Sequence, residues 1–352
     1  MLFNLKNRES GGWSVNIIRK WIKQAKKCAA VFCLGAATVF MGSATYAADI
    51  NLTAYTYTGG GTTVAMMEKM VSQFEAEMGG AAKVKLNVGG SLPIKGPNIT
   101  QAVAEGIVDI SGDAFYAGNL PIGGLMFLPA LFLNSDDLKK GYDAAEPYMR
   151  AALAEMGVEL LTSYWYPLQV IWSRDDDLDS LDKLKGKKTR VSSPEQGEFI
   201  KRFGGIPVTL GSPEVVPALQ RGIIDNVITA SSGGGRTYRG EYKSTFRIGP
   251  NLHMSLIIAN KQTFDALSSD AQSALVKAAK DATAWAITEL EAGEETWTET
   301  FRTEDNVKVY YPTEQEVASV LATMKSYWPE WAEERGPDAV EALGKVLEAL
   351  GK

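Results

Sequence analysis

Apolar and polar positions along the chain change period repeatedly, from two to between three and four and back. This predicts strands and helices in alternation. Asn51 to Thr56 reads as a first strand, followed by a Gly59–Gly61 loop. Thr62 or Thr63 can then cap a helix whose apolar face is Val64, Met67, Val71, Phe74 and Met78, stopped by Gly79 and Gly80. Val84, Leu86 and Val88 alternate as a second strand. A helix ending near Glu105, a buried strand at Ile107 to Ile110, a helix around Glu146 to Met156 and a strand from Val158 to Ser163 continue the series. Ser193-Pro194 and Ser212-Pro213 each look like an N-cap with proline in the first turn, opening helices that close at Gly204 and Gly222. From Ser268 or Ser269 helical composition runs to about Arg302, with a possible interruption at Gly293. A helix of that length can brace two lobes. A strand near Val307 to Tyr310 and helices at Thr313 to Glu334 and Pro337 to Leu350 end the chain. The expectation is an α/β fold with largely parallel sheets.

Ala102, Gly106, Ile107 and Asp109 recur as Ala218, Gly222, Ile223 and Asp225. The repeat reads either as two similar lobes or as the common helix, glycine cap and strand sequence of any α/β protein.

The first 47 residues have the build of a secretory signal peptide. Arg19, Lys20, Lys23, Lys26 and Lys27 lead into an apolar run from Cys28 to Met41, and Thr45 and Ala47 suit cleavage after Ala47. An uncleaved membrane anchor is the alternative, although the run is short for a span. The leader holds both cysteines, Cys28 and Cys33, so the exported chain has no thiol for a nucleophile, a metal site or a disulfide. It also takes seven basic residues and one acidic residue. The totals of 36 and 42 become 29 and 41, and the formal charge moves from −6 to −12. That sign argues against nucleic acid as a partner. The remaining length, roughly 305 residues, suits two domains.

The run Gly186 to Val191, then Gly204 to Val208, then Glu214 to Asp225, is similar to the signature of TRAP (tripartite ATP-independent periplasmic) transporter solute-binding proteins. The likeness extends upstream to Gly106, Asp109 and Phe127 to Phe132, and downstream from Asn260 to Leu267. It implies a two-lobed periplasmic binding protein fold of the DctP type, with hinge strands and a long helix bridging both lobes. We place lobe I at 48–166 plus 255–294 and lobe II at 167–254 plus 295–352, with the chain crossing near Tyr166 and His253. The resemblance assigns the grip on a ligand carboxylate to Arg190. The physics agrees, because a planar guanidinium offers a carboxylate two parallel donors and lysine does not. On spacing alone, an ordinary salt bridge would explain Arg190 as well.

Departures from the family pattern bear on the ligand. Trp165, Tyr166, Pro167, Leu168, Gln169 and Val170 stand where many members place a second arginine, so a second carboxylate clamp is not expected. Ser192 and Ser193 replace a proline and an asparagine; either can touch ligand, and Ser193 can instead cap the next helix. Aromatic residues gather in the segments that form the family's cleft: Tyr55, Tyr57, Phe115, Tyr116, Tyr164, Trp165, Tyr166 and Trp172. Strand alternation sends Trp165 to the face opposite Tyr164 and Tyr166, so not all of them can meet one ligand. The candidate binding set is Arg190, Tyr57, Phe115, Tyr116, Trp165, Tyr166, Gln169, Ser192, Ser212, Thr229 and Ser232. The expected ligand is a small carboxylate, above all a monocarboxylate with a hydrophobic or aromatic body. The expected partner is a TRAP membrane permease and the expected location is the periplasm.

His253 is the only histidine, so no conventional Ser-His-Asp triad or histidine metal site can be assembled. Gly59–Gly61 has neither P-loop nor dinucleotide spacing. Asp175, Asp176 and Asp177 read as a solvated turn. No catalytic residue, metal site or cofactor is assigned. An exported lyase or glycosidase using paired carboxylates, and a binding protein of an ATP-driven transporter, stand as alternatives.

Overall fold

The computed structural model describes residues 49–352; the expected leader at 1–47 and its cleavage site lie outside the described residues. The first sheet contains β1 (Ile50–Thr56), β2 (Ala82–Asn87), β3 (Ile110–Asp113), β4 (Val158–Leu168) and β10 (Leu252–Asn260), in the order β2-β1-β3-β10-β4. The second contains β5 (Val170–Ser173), β6 (Lys188–Val191), β7 (Ile206–Thr209), β8 (Asn226–Thr229), β9 (Ser244–Phe246) and β11 (Lys308–Tyr310), in the order β11-β9-β5-β8-β6-β7. β1 runs parallel to β2 and β3, and β6 parallel to β7 and β8. β4, β5 and β10, at the crossings between sheets, run antiparallel to their neighbours, whereas β9 is antiparallel to β5 and parallel to β11.

The helices are α1 (Thr62–Glu77), α2 (Ile99–Ala104), α3 (Ser135–Glu155), α4 (Pro194–Arg202), α5 (Ser212–Gln220), α6 (Lys261–Ala266), α7 (Ser269–Thr303), α8 (Glu314–Arg335) and α9 (Pro337–Leu350). One face of the first sheet packs Leu52 and Ala54 against Met66, Met67, Met70 and Phe74 of α1 and the alanines of α7. The second sheet buries Val170, Trp172 and Val227 against Val215 and Leu219 of α5 and Phe301 of α7. The long helix α7 therefore serves both sheets, and it runs through Gly293 without interruption. Ser268 caps it by accepting from the Ala271 N–H at 3.2 Å. No helix among the described residues is long and apolar enough to cross a membrane.

The chain passes from the first sheet to the second at Gln169 and returns between Phe246 and Leu252. The expected crossings near Tyr166 and His253 fall just inside β4 and β10. The expected placement of 295–352 in lobe II does not match α9, which packs on α3 beside the first sheet, with Tyr148 donating to Glu341 at 2.8 Å. α8 touches both sides: Trp331 donates to Glu195 of α4, and Trp328 to the carbonyl of Pro129.

Several local expectations are corrected. The strand expected at 107–110 begins only at Ile110, because Ile107 completes a helix-terminating turn and is 58% exposed. α3 starts at Ser135, well before Glu146, capped by Asn134, and has Pro147 inside it. Gly61 at φ 77°, not a threonine, precedes α1, and the buried face of that helix is Thr63, Met66, Met67, Met70 and Phe74. Gly211, not Ser212, is the N-cap of α5.

The internal repeat is a structural one. Gly106 and Gly222 both take positive φ, 70° and 68°. Ile107 N–H bonds the Ala102 carbonyl and Ile223 N–H the Ala218 carbonyl, each at 2.9 Å, as in a Schellman closure. Asp109 then accepts from the Thr53 N–H of β1 at 2.7 Å, and Asp225 from the Lys188 N–H of β6 at 2.8 Å. The same device thus fixes one parallel strand pair in each sheet.

Candidate functional site

The carboxyl ends of parallel strands from both sheets converge on one cavity, the usual place for a ligand in open α/β sheets. Tyr57 and Thr58 follow β1, and Ala114 and Phe115 follow β3. From the second sheet come Arg190 and Ser192 at the end of β6, Ser212 opening α5, and Thr229 ending β8. Tyr166, Gln169 and His253 close it along the crossing strands. It offers about 50 Å³ to the centres of water-sized groups, room for roughly three to five waters at 10–15 Å³ each. Gly59–Gly61, Gly89, Pro213 and Arg236–Tyr238 form its outer mouth.

Arg190 is the single charged side chain among the described lining residues. It is 6% exposed, its Nε donates to the Leu210 carbonyl at 3.0 Å, and its guanidinium lies 5.6 Å from the Phe115 ring centre. Its ion pairs with carboxylates number none among the described residues. Nε is held by the backbone, which leaves the two terminal nitrogens of the fork for an anion.

Hydroxyls make up most of the remaining wall. Tyr57 OH lies 2.6 Å from Tyr166 OH and 3.1 Å from Tyr164 OH, and Thr63 Oγ1 also bonds Tyr166 OH. Burial pushes the Tyr166 phenol well above its ordinary range, so it stays protonated. Across the cavity Ser212 Oγ lies 2.7 Å from Tyr238 OH. Ala114, Phe115 and Leu290 add apolar wall, and apolar and polar surface line the cavity in similar amounts.

His253 stacks edge-on with Phe127 at 4.9 Å and Tyr166 at 5.9 Å, with Nδ1 3.3 Å from Ser192 Oγ. Burial, and then the charge of Arg190, lower its pKa to about 3, so the imidazole is neutral. On the other side of the binding segment, Asp113 accepts from Thr100 Oγ1 at 2.6 Å and the Phe115 N–H at 2.7 Å. Burial raises its pKa to about 6.

Of the candidate set, Arg190, Tyr57, Phe115, Tyr166, Gln169, Ser192, Ser212, Thr229 and Ser232 line the cavity. Tyr116 and Trp165 do not. Tyr116 is buried behind the cavity with its ring 5.2 Å from that of Phe127, and Trp165 points outward to Glu291 of α7 at 3.2 Å. Alternation along β4 is the reason for the second of these. Ser232 reaches the cavity, but its hydroxyl donates to Glu294 at 3.0 Å. Ser193 is the N-cap of α4, accepting from the Gln196 N–H at 3.1 Å. Sequence reasoning missed Thr58, Thr63, Tyr238 and His253 as lining residues, since nothing local marks them. Gln196, behind Ser192, could have been found: Ser193-x-x-Gln196 has the spacing of a capping box.

Residues 55–335 match the family model described as bacterial extracellular solute-binding protein, family 7 (DctP). The chain belongs to this family. Among solved structures, the Bordetella pertussis DctP6 extracytoplasmic solute receptor, which binds pyroglutamic acid, is 25% identical at a TM-score of 0.78, over 85% of this chain and 99% of that one. A TRAP periplasmic solute-binding protein from Ralstonia eutropha, with bound (S)-2-acetolactate, is 19% identical at a TM-score of 0.76, over 85% and 99%. The 2,3-diketo-L-gulonate-binding periplasmic protein YiaO of Escherichia coli is 25% identical over 203 residues, 52% of this chain and 58% of that protein. The match thus spans less than two thirds of YiaO. The two-lobed fold expected from sequence is the fold of these receptors.

Proposed function

We propose that this family member is the extracytoplasmic receptor of a TRAP transporter, capturing a compact organic monoanion and delivering it to the membrane permease. The observation that carries this reading is Arg190, buried in a small cavity between two sheets with its terminal nitrogens unpaired by protein carboxylates among the described residues. A single cation favours a single carboxylate, and a wall of mixed hydroxyl and apolar surface suits a small body that is polar, apolar or both. Relatives reported with pyroglutamate and acetolactate are compatible in size and charge. Ser192 Oγ and His253 Nδ1 meet in the cavity at 3.3 Å, but burial and the charge of Arg190 hold the imidazole pKa at about 3, too low for a general base at neutral pH, which favours return of the ligand unchanged over turnover.

The test is titration calorimetry of the folded protein against pyroglutamate, 2-hydroxy acids, hexuronates and compact dicarboxylates. Native mass spectrometry of freshly purified protein would reveal a retained acid. Monocarboxylates should bind and be recovered intact. If no organic acid binds, or if succinate binds more tightly than every monocarboxylate, the reading fails.

A further inference from the structure

Ser192 and Arg190 are two residues apart at the end of β6, so their side chains leave the same face of the strand and enter the same cavity. Behind Ser192 lies a buried amide relay whose two ends are fixed by backbone groups. At one end Asn251 Nδ2 donates to the Leu252 carbonyl at 2.7 Å, which turns Asn251 Oδ1 towards Gln196. Gln196 Nε2 donates to that oxygen at 3.2 Å. Gln196 Oε1 therefore faces Ser192, where it accepts the Ser192 N–H at 2.9 Å and the hydroxyl at 2.9 Å. Both amides are almost fully buried, and neither can flip without setting two acceptors or two donors against each other.

A carbonyl oxygen only accepts, so the one hydroxyl proton of Ser192 is committed to Gln196. The other neighbour of Ser192 Oγ is His253 Nδ1, at 3.3 Å. If Nδ1 carries the imidazole proton, it donates to Ser192; if it does not, it competes for the same hydroxyl proton. In both tautomers that proton stays on the protein, and Ser192 presents a lone pair to the cavity.

We propose that Ser192, oriented by Gln196, is a selectivity determinant that admits acids bearing a hydrogen-bond donor, a hydroxyl or an amide N–H, beside the carboxylate and rejects isosteres that lack it. Gln196 acts as a positioning residue and does not touch ligand. The inference rests on the carboxylate reading of Arg190 and adds to it the chemistry of the adjoining group. A site built to receive a donor is left with an unmatched acceptor when the donor is replaced by carbon.

Two matched pairs test it by calorimetry: 2-hydroxy-2-methylpropanoate against 2,2-dimethylpropanoate, and L-pyroglutamate against 3-oxocyclopentane-1-carboxylate, in which a CH2 replaces the ring N–H. Each pair keeps the carboxylate and nearly the volume. In the wild type the donor-bearing acid should bind roughly 10- to 100-fold more tightly. Ser192→Ala should bring the ratio to within about threefold while the donor-free acid still binds. Gln196→Met removes one of the two protein acceptors for the serine proton and should lower the ratio, and Gln196→Met combined with His253→Phe, which leaves that proton no acceptor among these partners, should collapse it. A ratio between two ligands on one protein would not move if these residues served stability alone. Equal affinities within both pairs in the wild type, or an unchanged ratio in Ser192→Ala, overturn the proposal and leave the carboxylate reading standing. If no acid in the wider panel binds folded protein, the carboxylate reading falls and the selectivity proposal falls with it.

Discussion

A buried guanidinium with backbone on one nitrogen and no protein carboxylate on the others is costly unless something occupies the fork, and this gives Arg190 a measurable signature. Breaking a buried ion pair from one side costs about 3–5 kcal/mol, or two to four decades of affinity. Arg190→Ala should lose that much in ligand binding, and Arg190→Lys, which keeps the charge without the planar fork, should fall between. A purely structural arginine would instead lower the melting temperature and leave affinity in the folded fraction nearly intact, so both quantities need measuring on each variant. His253 yields a second prediction. The unfolded chain takes up this proton near the ordinary pKa of 6.5 and the folded chain only near 3. Between those values the unfolded state holds more protons, so this residue makes stability rise with pH, by up to about 1.4 kcal/mol per unit. Asp113 has the opposite sign. Its pKa is raised from 3.8 to about 6, so in that window the folded state holds more protons and stability falls as pH rises. The two slopes oppose each other in the wild type. His253→Phe removes one, so the variant should gain stability relative to wild type as pH falls from 6.5 towards 3. Urea melts across that range decide it: a difference independent of pH would contradict a neutral, buried imidazole.

The paired closures after α2 and α5 are the clearest case of an element-level rule written twice in one chain. Each uses a left-handed glycine, a Schellman bond and an aspartate that holds the neighbouring parallel strand by its backbone N–H. Asp109→Ala should cost about 1–3 kcal/mol, since it removes a part-buried partner of the Thr53 N–H together with bonds from the Thr53 and Thr263 hydroxyls, and Asp225→Ala should cost less, since the Lys188 N–H is exposed to water. Chemical denaturation of the two variants checks this; an equal or larger loss at Asp225 would contradict it. The repeat was legible because its residues are local and their spacing is fixed by the turn. The long helix α7 was legible for the same reason, from the Ser268 cap and a run of helix formers. What was not legible depends on distant chain segments meeting. Tyr238, Thr63 and His253 come from three separate elements, and nothing near them in sequence distinguishes a cavity wall from core. Trp165 was placed at the cavity although strand alternation set it on the opposite face from Tyr166. The first half of α3, from Ser135, was not read from sequence although Asn134 caps it.

At the scale of the molecule, two strand crossings and the long helix connect the sheets, and the cavity lies where they meet. The crossings touch closely: a Cβ on Gly249 would stand 1.5 Å from the Gln169 carbonyl oxygen, so Gly249→Ala should destabilise the protein by about 1–3 kcal/mol or more. Across the cavity mouth the two sides also meet directly. Ser212 Oγ lies 3.5 Å from Thr58 Oγ1, and a Cβ on Gly211 would lie 3.3 Å from the backbone nitrogen of Gly96. Contacts of this kind are those that hinge closure, if the two lobes move, would make. A ligand held by Arg190 from one side and by the Tyr57 hydroxyl wall from the other would favour that closed state by its extra contacts there, and only by those. Small-angle scattering should therefore show a more compact particle when a bound acid is present than when it is removed by dialysis from mild denaturant. Gly211→Asn supplies the decisive comparison. Asparagine is a good N-cap, but its Cβ would stand 3.2 Å from Glu214 Oε2, which accepts the Gly211 N–H, as well as against Gly96, so a small loss of melting temperature is expected beside the wedge at the mouth. The variant should stay expanded in the presence of ligand and bind it about tenfold or more weakly, with the loss mainly in a faster off-rate, since closure traps what has already bound. If it compacts and binds as the wild type does, the mouth contact is incidental and hinge closure is not what retains the ligand.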